Sequence, residues 1–594
     1  MIFARVRLDR ELWIYIAGAF LVFVMCFFAM YIKEAEKSGS WRYVINNQDE
    51  FFYWVTADGV TETPQSDANP FYFEEKGIQL ALPHVTANLF GYAAKFFNLP
   101  VLFFFPLWHI GMPFLLWGSM FICFVKIWKY PVFNSAAAAL FFIAITFYLK
   151  GLSPLIAVRF SHPGDGLWLL VIWLSLITHL DRCSWTRVAW LWGIAFAAFW
   201  LQPMYVIPGC LVTAAEGLWY LKKRDFSRSS KSFSVLGAVC LAGVLLYIQM
   251  KIFPPVSSLL LKESMRFDKT ASYGEIIPSF LLYGAVIFSV LFPKMRNKES
   301  LTPLDRLTIS LFTIEPLIIT LSCFLNFAII LTHRYYFLLL EMACMFGLVF
   351  QNAPGFFQSI KSKYYEKFVL SLFFLLQMLT LWRPELTPFH HGMMTSSNFL
   401  GMHDNILLIS SIFPSSLLVA WMFFRFPVLT SALKNRMILM CGIIVLTGFG
   451  FFTFSSGPDE LSRKSLFDGA YRWLDRNTPP DSVILTASPK ANGRYDYLPL
   501  YTHQKIYRGA LSVYLDRVAQ DYRDMFMAAL FLGILDEITM DGITDMPGKL
   551  RRFRLDYVLI ERASPFLNNI EKSLNGHIQE VYRENSCLIW KVLA

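Results

Sequence analysis

Two adjacent carboxylates stand early in the chain, in the sequence Asp49-Glu50-Phe51-Phe52-Tyr53-Trp54. A positioned carboxylate can remove the proton of an attacking hydroxyl group, which is a weak nucleophile near pH 7. If this stretch is helical, Asp49 shares a face with Phe52 and Tyr53, whereas Glu50 points about 100° away. The aromatic side chains would then lie in a membrane interface and hold Asp49 at the level of the lipid headgroups. A solvated helix face is the alternative interpretation of this common acidic pair.

A second polar cluster contains Arg159, Ser161, His162 and Asp165, directly before an apolar segment. Ionisable groups at the mouth of a membrane span are expected to face a cavity or one another. Arg159, His162 and Asp165 are therefore candidate substrate-binding residues. The alternative makes Arg159 an interfacial anchor and Asp165 the N-cap of the helix that follows.

A third candidate is the sequence Thr332-His333-Arg334-Tyr335-Tyr336, which lies between two apolar segments. The planar guanidinium of Arg334 stays charged and can bind two phosphate oxygens at once. Such a contact would neutralise the charge that develops on a phosphate leaving group. An arginine that reaches to the interface from the end of a span is the alternative.

Histidines in the loop 383–404 suggest a metal site only weakly. His390 and His391 are adjacent, and His403 follows twelve residues later, with no carboxylate at helical spacing from them. Neighbouring histidines rarely point at one ion, and zinc sites need three or four converging ligands. We therefore expect no cofactor, although a divalent metal remains possible.

The elements that must position these residues are membrane spans. The chain is 56% hydrophobic and only 16% charged, and its apolar runs of roughly 18 to 25 residues have the length that crosses a bilayer. We predict about thirteen transmembrane helices. The predicted spans lie near 13–32, 101–125, 132–149, 166–180, 187–201, 204–220, 233–252, 276–292, 307–331, 335–352, 366–382, 404–424 and 437–454.

Basic residues set the predicted orientation. The net charge is +10, and clusters such as Lys222-Lys223-Arg224 fall in alternate loops, as the positive-inside rule requires. This pattern argues against nucleic-acid binding and places the N-terminus in the cytoplasm. An odd number of spans then leaves the C-terminal end outside. Gln202-Pro203 lies between the spans at 187–201 and 204–220, and Pro208 lies inside the second span. These prolines predict either a tight hairpin or a bend that lines a cavity.

The sequence divides into two predicted domains. Residues 1–454 form the transmembrane domain, including a first extracytoplasmic loop at 33–100 with amphipathic helices. Residues 455–594 form a soluble α/β domain, with a helix at 464–476 and strands at 482–487, 556–561, 579–584 and 587–593. This domain has no glycine-rich nucleotide loop.

Taken together, these features resemble the GT-C superfamily of membrane glycosyltransferases, including protein O-mannosyltransferases and lipid A aminoarabinose transferases. The shared features are an acidic pair after the first span, many later spans and an outer C-terminal domain. The resemblance implies transfer of a sugar from a polyprenyl-phosphate carrier to a glycan, lipid or protein acceptor outside the membrane. It assigns Asp49 as the catalytic base, Glu50 as its catalytic neighbour, and Arg334 with Tyr335 as the site of the carrier phosphate.

The resemblance and the predicted topology imply a multi-pass protein of a bacterial inner membrane, in contact with membrane lipids. Two other functions stay open. A transporter or flippase would use charged residues within spans, for which Glu216, Glu315 and Glu341 are the main candidates, but we find no internal repeat. A glycan polymerase would be expected to carry its large soluble loop between late spans.

Overall fold

Apolar segments form most of the helices. The computed structural model describes the ranges 53–59, 85–132, 164–180, 184–201, 206–252, 300–313, 467–479, 482–486, 556–562 and 575–593, with scattered positions in 13–27, 135–139, 291–294, 490–506 and 567–571. The helices are α1 (Val85–Phe97), α2 (Phe105–Ile122), α3 (Gly164–Ile177), α4 (Trp185–Leu201), α5 (Val206–Lys222), α6 (Phe226–Ile252) and α7 (303–313). Residues 53–59 are also helical, a 3₁₀ turn (Val101–Phe104) precedes α2, and a π turn (Cys123–Ile127) follows it.

In the described residues, helices lie within the predicted spans at 101–125, 166–180, 187–201, 204–220 and 233–252. Among the described residues, two helical stretches, Val101–Ile127 and Phe226–Ile248, are long and apolar enough to cross a membrane. A helix also lies in the described part of the predicted span at 307–331, but it begins earlier, at residue 303. The count of thirteen spans stays a prediction.

The chain forms two compact units. The bundle unit contains Met1–Met30, Pro106–Tyr247 and Ser264–Phe454. The sheet unit contains Tyr31–Phe105, Ile248–Glu263 and Ser455–Ala594.

Small residues let the short helices of the bundle unit pack closely. A Cβ atom added to Gly209 of α5 would lie 2.5 Å from the ring of Trp173 on α3, and Trp173 is fully buried. Pro208 lies in the first turn of α5, where backbone N–H groups have no intrahelical acceptor, so it does not interrupt the helix. Pro208 therefore lies in the first turn of α5 and does not bend the helix.

A capping box starts α7. The backbone N–H of Thr302 donates to the carboxylate of Asp305 over 2.8 Å, and the N–H of Asp305 donates to the Thr302 hydroxyl over 3.2 Å. Pro303 follows at the first helical position, which favours proline. Lys294 also donates to Asp305, at 2.9 and 3.0 Å from its two oxygens.

A five-stranded mixed sheet lies at the C-terminal end of the chain. Its strands are β1 (Val483–Thr486), β4 (Lys505–Ile506), β5 (Tyr557–Glu561), β6 (Ile578–Arg583) and β7 (Cys587–Val592), in the order β4-β1-β5-β7-β6. A separate two-stranded sheet pairs β2 (Lys490–Ala491) with β3 (Tyr495–Asp496). Strand β1 runs parallel to β4 and β5, whereas β7 runs antiparallel to β5 and β6. The four predicted strands are therefore confirmed.

Helix α8 (Asp468–Asn477) packs within this unit. Its Trp473 ring lies 6.2 Å from the ring of Tyr557 and 5.7 Å from that of Tyr582, measured between centroids. The Tyr582 hydroxyl donates to Glu584 over 3.0 Å. Burial, and then this hydrogen bond, raise the pKa of Tyr582 to about 12. Burial likewise raises the pKa of the Cys587 thiol to about 11, so the thiol is protonated at neutral pH.

Candidate functional site

Asp165 is the one predicted site residue within the part of the chain that the structure describes. Asp49, Glu50, Arg159, His162, Arg334 and Tyr335 lie outside the described residues, as do the histidines of the loop 383–404. The roles assigned to these residues stay predictions. The geometry around Asp165 shows where one member of the predicted site is held.

Asp165 lies in the first turn of α3 and is buried, with 3% of its surface exposed. The helix begins at Gly164, so Asp165 is inside the helix and the N-cap interpretation is wrong. A carboxylate in a first turn is still stabilised by the unpaired N–H groups and the positive end of the helix dipole. A run of apolar residues, Leu167 to Leu174, follows it on the same helix.

Hydrogen bonds show how the helices are aligned along the bundle. Trp128, just after the π turn, donates to the Thr178 hydroxyl over 3.4 Å, so the α2 segment and α3 finish at one level. Trp192 of α4 donates to Ser234 of α6 over 3.1 Å, so these two helices start at nearly one level. Ser232 of α6 donates to the Thr213 carbonyl of α5 over 2.6 Å.

Asp165 lies at the opposite end of these helices. In the described residues, α3 and α5 begin and α4 ends at this side of the bundle.

Asp165 is buried at the start of an apolar helix. A carboxylate in such surroundings is expected to face protein or a polar cavity, because lipid tails cannot solvate it. The substrate-binding role of Asp165 stays a prediction.

The aromatic stripe after Asp49 differs from its prediction. In the sheet unit, residues 53–58 are all buried, and Trp54 is fully buried. The Trp54 ring lies 6.4 Å from the Phe90 ring of α1 and 5.9 Å from the Phe105 ring. The prediction that this stripe lies in the membrane interface is therefore wrong for Tyr53 and Trp54, because both side chains are buried within the protein.

Helix α1 has the opposite arrangement. Its buried face consists of small residues, Thr86, Ala87, Gly91 and Ala94, whereas its large apolar side chains are exposed. Leu89, Tyr92 and Phe96 have 60%, 46% and 82% of their surfaces exposed. These residues recur at helical spacing on one face, so the apolar stripe of the first loop is on α1.

The far end of the bundle has an ion-pair network that the sequence did not predict. Arg306 of α7 lies 3.3 Å from the buried carboxylate of Glu216 on α5 and donates to the Thr178 carbonyl over 3.2 Å. Glu216 stood out in the sequence as an acid within a span, and such an acid needs a partner. Its partner is 90 residues away in sequence, so only the fold could identify it.

No cluster of three or more His, Cys, Asp or Glu side chains that could hold a metal ion occurs among the residues for which the structure gives positions. The four cysteines whose state is described, Cys123, Cys210, Cys240 and Cys587, are all free thiols.

No protein-family model and no curated protein sequence matches this chain. Solved structures do resemble it. ArnT from Cupriavidus metallidurans bound to undecaprenyl phosphate matches with a TM-score of 0.52 and 12% identity, over 98% of each chain. The apo form of the same protein matches with a TM-score of 0.50 and 12% identity, over 98% of this chain and 97% of ArnT.

Arabinofuranosyltransferase AftD from Mycobacteria matches with a TM-score of 0.50 and 11% identity, over 98% of this chain and 40% of AftD. At this level of identity the likeness establishes the fold and no more. The structural neighbours are GT-C glycosyltransferases, and this chain has their fold.

Proposed function

We propose that this chain is a membrane glycosyltransferase that moves a sugar from a polyprenyl-phosphate carrier to an acceptor on the extracytoplasmic side. The observation that carries the proposal is the likeness to ArnT along 98% of both chains, in a structure that holds undecaprenyl phosphate. The likeness includes the C-terminal part of the chain as well as the helices. The acceptor is a glycan, a lipid or a protein of the cell envelope.

The proposed chemistry uses two groups with opposite charge. The carboxylate of Asp49 takes the proton of the acceptor hydroxyl as its oxygen bonds to the anomeric carbon of the sugar. The bond between that carbon and the phosphate oxygen breaks, and polyprenyl phosphate leaves. Arg334 holds this phosphate and neutralises the charge that develops on it. Glu50 supports Asp49. The single displacement described here inverts the anomeric carbon, whereas retention would need a second displacement.

Substrate binding is assigned to Arg159, His162, Asp165 and Tyr335. The burial of Asp165 at the start of α3 supports its own part in this assignment, since a carboxylate can accept hydrogen bonds from sugar hydroxyls. The assignment puts the sugar next to α3 and the phosphate next to Arg334.

A transporter or flippase is the principal alternative, and one observation weighs against it. Glu216, the intramembrane acid that the structure describes, is bound to Arg306 at the end of the bundle opposite Asp165. A carboxylate in a buried ion pair is costly to protonate or move, because its partner would be left uncompensated. Glu216 is therefore better explained as a structural residue than as a carrier of ions.

The test replaces Asp49 with Asn in the natural host at normal expression. Asn keeps the size of the side chain but cannot take a proton, so we expect the glycan or lipopolysaccharide profile of the Asp49→Asn strain to match that of a deletion strain. The control is Asp67→Asn, which removes a carboxylate from the same predicted loop. Membrane levels of both variants are compared by quantitative blotting.

Two outcomes would contradict the proposal. A wild-type profile in the Asp49→Asn strain, together with a changed profile in the deletion strain, would remove Asp49 from the mechanism. An unchanged profile in the deletion strain, with loss of a transported solute instead, would favour the transporter.

A further inference from the structure

The turn between α5 and α6 has a backbone conformation that glycine normally adopts. Arg224 has a φ of 59°, in the left-handed region that L residues with a Cβ atom avoid. The Arg224 N–H donates to the Leu221 carbonyl and the Asp225 N–H donates to the Tyr220 carbonyl, each over 2.9 Å. These bonds form the Schellman pattern that ends a helix, in which glycine is the usual residue at this position.

Asp225, the single carboxylate of the segment 222–231, is occupied by other contacts. Its Oδ1 accepts the backbone N–H of Arg228 over 3.1 Å, which caps the start of α6. Its Oδ2 lies 3.0 Å from Nε of Arg228. Three cations of this turn are exposed: Lys222, Lys223 and Arg224. The nearby carboxylate of Asp225 is paired with Arg228. We call the three exposed cations the cationic turn.

Exposed aromatic side chains surround the cationic turn. Trp219 and Phe226 have 38% and 68% of their surfaces exposed, and Trp185 at the start of α4 has 55%. Nζ of Lys223 lies 4.9 Å from the centroid of the Trp219 ring. Tryptophans with an apolar ring and a polar N–H collect where lipid headgroups meet water. These rings therefore mark the headgroup level at this end of the bundle, next to the cationic turn.

We propose that the cationic turn binds the headgroup of an anionic phospholipid of the membrane that the helices span. Three exposed cations offer donors to phosphate oxygens, and the guanidinium of Arg224 can contact two oxygens at once. Phe226 is positioned to enter the acyl region beside the headgroup. The charge of Arg224 provides a reason for a non-glycine residue at a position where glycine would be less strained.

This proposal does not depend on the sugar transfer proposed above. The cationic turn is at the end of the bundle opposite Asp165, so it is separate from the predicted donor site. A free phosphate ion or an acidic protein could meet the same charges. Neither would use the apolar Phe226 side chain or the aromatic rings at the headgroup level, so the phospholipid is favoured.

The test measures lipid binding to the full-length protein by native mass spectrometry in detergent, with phosphatidylglycerol and phosphatidylcholine as probes. The variant is Lys222→Gln, Lys223→Gln, Arg224→Gly. Each cation near a headgroup contributes about fivefold to binding, so we expect phosphatidylglycerol affinity to fall by about tenfold or more, with phosphatidylcholine binding unchanged. The matched control is Lys95→Gln, Arg476→Gln, Lys591→Gln, which removes three exposed charges elsewhere and should bind phosphatidylglycerol like the wild type.

The single variant Arg224→Gly is the control for a folding defect in the triple variant, because glycine readily adopts the backbone conformation at this position. We expect this variant to keep or raise the melting temperature in detergent while losing part of the phosphatidylglycerol-dependent increase in melting temperature. Equal loss of binding in the triple variant and the control would overturn the proposal, as would unchanged binding in the triple variant. If inorganic phosphate or polyglutamate raised the melting temperature as much as phosphatidylglycerol does, that ligand, and not a phospholipid, would be the one that the cationic turn binds.

Discussion

Gly209 is a residue whose small size decides how two helices meet. An added Cβ atom would lie 2.5 to 3.0 Å from three ring atoms of Trp173, and that ring is fully buried on α3. Overpacking of a buried site typically costs about 1–3 kcal/mol. We expect Gly209→Ala to lower the melting temperature of the purified protein, measured by differential scanning fluorimetry in detergent.

Gly193 on α4 is the matched control for that substitution, because nothing lies within 4 Å of an added Cβ atom there. Alanine also has the higher helix propensity, by about 1 kcal/mol. Gly193→Ala should therefore leave the melting temperature unchanged or raise it. A Gly209→Ala protein as stable as the Gly193→Ala protein would show that α3 and α5 do not pack through this glycine.

At the scale of elements, α3, α5 and α7 are joined by one polar network at the end opposite Asp165. Arg306 connects the Glu216 carboxylate of α5 to the Thr178 carbonyl that follows α3. Only 2% of the Glu216 side chain and 19% of the Arg306 side chain are exposed. The network holds the end of α3 and the start of α7 beside the Glu216 turn of α5.

We expect Glu216→Gln to destabilise the bundle strongly. Removal of one partner from a buried ion pair leaves an uncompensated charge and costs about 3–5 kcal/mol. The control is Glu580→Gln, which breaks the exposed pair of Glu580 and Arg583, and pairs of that kind contribute about 0–1 kcal/mol. The measurement is thermal unfolding of both variants in detergent.

The double variant Glu216→Leu, Arg306→Met distinguishes a structural pair from a functional one. Replacement of both charges by apolar side chains should recover much of the lost stability. Sugar transfer should then recover in proportion to the folded protein. A stable double variant that is inactive would show that Glu216 or Arg306 contributes to the reaction.

At the scale of the whole molecule, basic segments that are far apart in sequence share one end of the bundle. The turn after α2, the start of α4, the turn between α5 and α6, and the start of α7 all lie at the Arg306 end. These segments carry the positive charges that the sequence analysis assigned to the cytoplasm. The positive-inside rule requires such basic segments to lie at the same end of the bundle.

Reporter fusions test the orientation that follows. We expect alkaline phosphatase fused after residue 454 to be active, and green fluorescent protein fused there to be dark, because the C-terminal domain is predicted to be outside. The same reporters inserted after Lys223 should give the opposite result. A fluorescent fusion after residue 454 would contradict both the orientation and the proposed extracytoplasmic reaction.

Sequence patterns alone determined the local elements of this protein. Apolar runs predicted the helices at 101–125 and 187–201, and alternation or apolar runs predicted the strands at 556–561 and 587–593. Such elements are predictable because each is stabilised along its own length by backbone hydrogen bonds and a repeating apolar face. The GT-C resemblance followed from the acidic pair and the order of the spans and the C-terminal domain, and the likeness to ArnT confirms it at the level of the fold.

Tertiary structure alone decided which residues meet. Three contacts join segments that no local pattern connects. They are the ion pair of Glu216 with Arg306, the packing of Trp54 against Phe90 and Phe105, and the contact of Gly209 with Trp173. The burial of Asp165 was equally invisible, because it depends on the helices that pack around α3. Contacts of this kind arise from the packing of complete elements, so their energies appear only when the chain has folded.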